Sequence, residues 1–166
     1  MYPPSISNTG VLFDAIVEQD LKQLHAISQV EISRELRSRY HVGARGQCPL
    51  HLAVLVLNSE QIQRFGEKAR WGVEVVKWLL RSGAELNVVN SLGRTPLMSA
   101  IQFGNVDIVS LLVSAGANIA FESDCYGRSA LHLACEYNRN CNELFKMVQY
   151  LIKKRCVVTH RDKVCL

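Results

Sequence analysis

Apolar and polar positions along this chain follow the period of short helices, cut at intervals by glycine. The pattern is cleanest over Ser91 to Ile119. There, Gly93 can take the positive φ of a tight turn. Thr95 suits a helix N-cap, and Pro96 suits the first helical position, where a missing N–H costs nothing. Leu97, Ala100 and Ile101 then fall on one helical stripe. Gly104 and Asn105 break that helix. Val106, Val109, Leu111, Leu112 and Val113 predict a second short helix, with Gly116 as a natural left-handed stop.

The same grammar recurs on both sides. Gly83-Ala84 precedes Gly116-Ala117 by 33 residues, and Gly93 to Leu97 precedes Gly127 to Leu131 by 34. Gly46-Gln47-Cys48-Pro49-Leu50-His51-Leu52-Ala53 repeats the helix-opening motif upstream. Together these match G-x-T-P-L-H-x-A followed by V-V-x-x-L-L-x-x-G-A, and the chain resembles the ankyrin-repeat family. The resemblance implies an all-α solenoid of stacked helix–turn–helix units joined by β-hairpin-like loops. Three units carry the motif, and a degenerate unit precedes them. Units of this kind bury their core against neighbours, so at least three are needed.

Taken in order, residues 1–10 read as a flexible arm and 11–166 as one repeat domain. The repeats are expected at about 11–42, 43–89, 90–123 and 124–161, with a truncated next hairpin at 162–166. In the first unit Leu12, Ala15, Ile16, Leu21, Leu24 and Ile27 carry the stripe without the turn motif. The second unit contains an insertion among Leu55 to Gly72. Asn58 is a candidate cap with Gln61 returning the bond, and Ile62, Phe65 and Ala69 would share a face. The insert is expected to lengthen the first helix and loop back to a second helix over Val73 to Arg81. The third unit has Met98 where the resemblance implies a loop-tethering histidine. The fourth has an extended joint through Tyr137 to Asn140, then a second helix expected over Phe145 to Lys154. Beyond it, Leu144, Val148, Leu151 and Ile152 are expected to leave an apolar flank uncovered.

Composition narrows the function. With 48% hydrophobic and 20% charged residues, the chain has enough apolar material for a core and an ordinary surface. A net charge of +4 is too mild to argue for nucleic acid by itself. Its basic residues gather at Arg34, Arg37, Arg39 and Arg45, and again from Lys153 to Lys163. Six cysteines form no C-x-x-C pair and no secretory leader precedes them, so an intracellular protein with reduced thiols is expected, cytoplasmic, nuclear or both. No apolar run approaches the length of a membrane span.

No catalytic motif is present: G-x-S-x-G, H-E-x-x-H and phosphate-cradling loops are all missing from the sequence. Cys48 to His51 and His132 to Cys135 have the spacing of zinc half-sites, but both arise from the repeat motif itself. His51 and His132 are expected to make structural hydrogen bonds at helix starts. No enzyme activity, cofactor, metal or small-molecule substrate is expected. The resemblance implies instead a partner protein held in a concave groove of hairpin tips and first-helix ends. Carried over by repeat position, the groove residues are Arg45, Gln47, Leu92, Arg94, Gln102, Phe103, Tyr126, Arg128, Glu136 and Tyr137. Phe103 and Tyr137 share one repeat position and would line the groove side by side; packing against the neighbouring helix is their other possible role. Adaptor, scaffold and inhibitor roles fit this reading, the last including IκB-like masking. Two alternatives stand beside it. One is the substrate-recognition part of a cullin ubiquitin ligase receptor. The other is a binder of nucleic acid or acidic surfaces through the arginine cluster, which would show a steep loss of affinity with salt.

Overall fold

Both helices of the third unit start where a side chain satisfies an open backbone donor. Thr95 holds an extended backbone, and its hydroxyl accepts the Met98 N–H at 3.2 Å. Asn105 does the same for the Ile108 N–H at 3.1 Å. Gly83 and Gly116 end the second helices in the left-handed region, at φ +82° and +98°. At Gly116 the Ala117 N–H reaches the Leu112 carbonyl at 2.9 Å, and the Gly116 N–H reaches Val113 at 3.1 Å. The same pair of bonds closes the helix before Gly83, from Ala84 to Leu79 and from Gly83 to Leu80. This is the Schellman arrangement, and it needs a residue that tolerates positive φ.

The computed structural model of the chain describes residues 11–17, 21–27, 36, 46–56, 66–120, 125–137 and 141–154. Four helix pairs lie within them. They are α1 (Val11–Val17) with α2 (Leu21–Ala26), α3 (Pro49–Val56) with α4 (Gly66–Arg81), α5 (Pro96–Gln102) with α6 (Val106–Ser114), and α7 (Ala130–Tyr137) with α8 (Cys141–Lys153). Within each pair the two helices pack together. Between pairs, α1 packs on α3, α3 on α5 and α5 on α7, which makes one row. A second row runs from α4 to α6 to α8.

One core runs between the rows. Leu12, Ile16, Leu50, Leu79, Leu97, Ile101, Ile108 and Leu112 are fully buried there, each worth about 1.5–3 kcal/mol relative to exposure. Ala15, Ala53, Ala100 and Ala134 stand at equivalent places in the first row and are all buried. A larger side chain at any of them would wedge adjacent helices apart. Met98, in place of the expected histidine, is buried as an apolar filler.

Two helix starts differ from the sequence reading. The insertion in the second unit lengthens the second helix, which begins at Gly66 rather than Val73. The Glu67-Lys68-Ala69-Arg70 run is made of good helix formers. Adding turns to an existing helix is cheaper than nucleating a separate one. Likewise α8 begins at Cys141 rather than Phe145, about one turn earlier than expected. The expected uncovered flank is also smaller. Leu151 is buried and Leu144 and Val148 are half-buried, because they pack on the core, whereas Ile152 is 53% exposed. The exposed aromatic on that helix is Phe145, at 68%. The arm at 1–10, the Asn58/Gln61 cap, the arginine cluster with Arg45 and the hairpin at 162–166 lie outside the described residues. Among the described residues no helix is long and apolar enough to cross a membrane.

Candidate functional site

The hairpin tip before α5 is built by Asn90. Its side-chain oxygen accepts the Leu92 and Arg94 N–H groups at 3.0 and 3.1 Å. Its carbonyl accepts the Gly93 N–H at 2.9 Å, and its own N–H donates to the Arg94 carbonyl at 3.0 Å. Gly93 sits at φ +70° to complete the turn. Neighbouring loops are tied to one another: the Cys125 N–H donates to the Leu92 carbonyl, and the Asn118 N–H to the Asn87 side chain, both at 2.9 Å. These bonds set the tips in register along one side of the stack. The sequence reading did not single out Asn90, although an Asn three residues before a turn glycine is the signal that finds it.

Beneath the tip lies His51. Its Nε2–H donates to the buried Arg94 carbonyl at 2.8 Å, linking the second unit to the third. Its Nδ1 faces the Cys48 thiol at 3.0 Å and the Cys48 N–H at 3.4 Å. Burial pushes the His51 pKa down to about 4, outweighing the opposite pull of the Arg94 carbonyl, so the ring is neutral near pH 7. Burial likewise pushes the Cys48 thiol up, against the bond from His51. The pair is thus a neutral imidazole and a thiol, the opposite of an activated nucleophile. His132 makes the corresponding helix-start contacts, with Ser129 N–H at 3.2 Å and Ser129 Oγ at 2.8 Å from its Nδ1. Among the described residues no three His, Cys, Asp or Glu side chains converge as metal ligands. Cys48, Cys125 and Cys135 are free thiols.

Six of the expected groove residues come together. Arg94 reaches along its unit to donate to Gln102, and Arg128 donates to Glu136 in the same way one unit later. Arg128 and Glu136 form an ion pair. The guanidinium of Arg128 lies 4.7 Å from the Tyr126 ring centre and 5.8 Å from that of Tyr137. The Arg94 guanidinium lies 5.6 Å from the Tyr137 ring. All three distances are within cation–π range. Tyr137 therefore stands against two guanidiniums from successive units.

Exposure divides the group. Tyr126 is 50% exposed and Tyr137 37%, and Glu136 is also exposed. Arg94 is only 6% exposed, so it is not the open groove contact its position implied. Its hydrogen bond and its stacking on Tyr137 fold the side chain into the surface. Phe103 is half-buried and packs against the core, the second of the two roles open to it. Gln47 and Leu92 are half-buried, and the Leu92 backbone serves the loop-to-loop bond above.

Comparison with known proteins fits this geometry. A family model described as ankyrin repeats, in three copies, matches residues 67–162. The human "B-cell lymphoma 3 protein" is 36% identical over 92 residues, which is 55% of this chain and 18% of that protein. An "Ankyrin repeat, SAM and basic leucine zipper domain-containing protein 1" from Notamacropus eugenii is 34% identical over 82 residues, 49% of this chain and 17% of that protein. The "Probable E3 ubiquitin-protein ligase XBOS32" of Oryza sativa subsp. japonica is 32% identical over 123 residues, 74% of this chain and 21% of that protein. The chain thus spans about a fifth of the length of these relatives.

Proposed function

We propose that this chain, which belongs to the ankyrin-repeat family, is a non-catalytic module that holds a partner protein against Tyr126, Arg128, Glu136 and Tyr137. One observation carries the reading: two exposed tyrosine rings are held in place by guanidiniums that are themselves anchored to the scaffold. Tyrosine offers broad contact area at low entropic cost, and prior anchoring reduces that cost further. A module of this kind serves as adaptor, scaffold or inhibitor, and masking of a partner in the IκB manner is one such use.

A second reading has its own support. The similarity to a probable ubiquitin-protein ligase runs over 123 residues. In that setting the same tyrosine surface would select a ligase substrate. Both readings place the contact on the same residues, so one experiment tests the surface for both. The partner is isolated by affinity capture from native cells and identified by mass spectrometry, then titrated against purified variants. Tyr126→Ala combined with Tyr137→Ala is expected to weaken binding by about 2 kcal/mol or more, roughly 30-fold. The thermal midpoint should stay close to that of the parent chain. Unchanged affinity in the folded double variant would remove this surface from the account. A steep fall of affinity with salt, about one log unit per log salt for each phosphate contacted, would instead indicate a nucleic-acid target.

A further inference from the structure

We propose that Arg94 is a positioning residue through which the second unit sets the orientation of Tyr137, two units away. The proposal rests on the reading of Tyr137 as a contact for the partner, and it adds how that contact is controlled.

Arg94 touches three successive units. Toward the second, its carbonyl accepts the His51 Nε2–H at 2.8 Å. Within the third, its N–H and carbonyl are both bonded to Asn90, at 3.1 and 3.0 Å, and its guanidinium donates to Gln102. Toward the fourth, the same guanidinium lies 5.6 Å from the Tyr137 ring centre. With both backbone polar groups held, the starting point of the side chain is fixed. With Gln102 holding one end of the planar fork, its orientation is fixed as well. The guanidinium then offers Tyr137 a surface whose place is defined from two units below.

Burial assigns the roles. Arg94 is nearly closed to solvent and Tyr137 is open. A partner in the groove would meet the ring and not the guanidinium, so Arg94 acts through Tyr137. His51 in turn is buried and meets no partner. The hydrogen bond that ties His51 to the groove is the one to the Arg94 carbonyl. That carbonyl keeps its bond from Asn90 when His51 is replaced, so the tip retains its turn while losing its link to the second unit.

The test reads the free protein and needs no partner. The five tyrosines are labelled with carbon-13 in the ring, and the signals of Tyr137 and Tyr126 are assigned with Tyr137→Phe and Tyr126→Phe. Tyr126, which stacks on Arg128, serves as the internal reference. Arg94→Met and His51→Leu are both expected to move the Tyr137 ring signals more than those of Tyr126. His51→Gln, which restores a side-chain N–H donor, should return Tyr137 toward its original position. Tyr137 signals that stay fixed in either folded variant would overturn the proposal. So would equal displacement of both tyrosines, which denotes general loosening. If Arg94→Met does not fold, Arg94→Lys keeps the charge without the planar fork; an unmoved Tyr137 in that variant overturns the proposal equally. Failure of the groove reading looks different: removing the tyrosines leaves partner binding intact while the Tyr137 signals still follow Arg94.

Discussion

The third and fourth units use one framework for two surfaces. Arg94 with Gln102 and Arg128 with Glu136 are the same bond, 34 residues apart. In the third unit the acceptor is a neutral amide, the following aromatic is Phe103, and the aromatic packs inward. In the fourth the acceptor is a carboxylate, the aromatic is Tyr137, and its ring remains accessible. The backbone devices that place these residues recur, while the chemistry at the tip changes. A phenyl ring has no group that water could satisfy, whereas a phenol carries a hydroxyl and suits a surface. The difference teaches that repeat position fixes where a side chain starts, and that the identity of the side chain decides whether it joins the core or the groove.

The comparison can be broken first in the core. Leu97 and Leu131 share a repeat position, but Leu97 is buried and Leu131 is half-buried. Leu97→Ala should cost about 2–5 kcal/mol in urea denaturation. Leu131→Ala should cost clearly less, and equal losses would show that the two units are packed alike. The next largest effect lies in the anchor under the third unit. The folded chain keeps His51 neutral down to a pKa of about 4, against the ordinary value of 6.5. Below pH 6.5 the unfolded chain takes up a proton that the folded chain refuses. Stability therefore falls as pH drops from 6.5 to 4, by about 2–3 kcal/mol from this residue, and is fully retained above that window. Thermal midpoints measured across the window should fall less steeply in His51→Gln; an unchanged slope would assign the effect elsewhere. The smallest effect sharpens the groove itself. Glu136→Gln gives the fourth unit the acceptor of the third, and should alter stability by less than about 1 kcal/mol because the pair is partly solvated. A larger loss, read by the same denaturation, would make the ion pair a structural element rather than a surface feature.

Much of this fold could be read from local signals. Thr95, Pro96 and Gly116 each announce a helix boundary by their own chemistry, and the period supplies the stacking. The length of α4 was less legible, because helix propagation through Glu67 to Arg70 leaves no punctuation to mark its start, whereas at α8 the Asn140 and Glu143 spacing is a capping signal for a start at Cys141. The site was legible as a set of positions and not as a set of contacts. Repeat spacing places Phe103 and Tyr137 in equivalent places, but it does not say which ring a guanidinium will cover. Repeat position places Arg94 at the groove, yet it is buried, in contact with Gln102 of its own unit and Tyr137 of the next. Such cross-unit closure depends on tertiary spacing that no single motif encodes.

The long second helix of the second unit bears on how a ligand could find its place. A stack of similar units is nearly invariant to a shift by one unit, so a partner reading only shared features could dock at several offsets. At 16 residues against 9 in α6, α4 extends about 10 Å further. That extension makes the second unit distinguishable from its neighbours by shape alone.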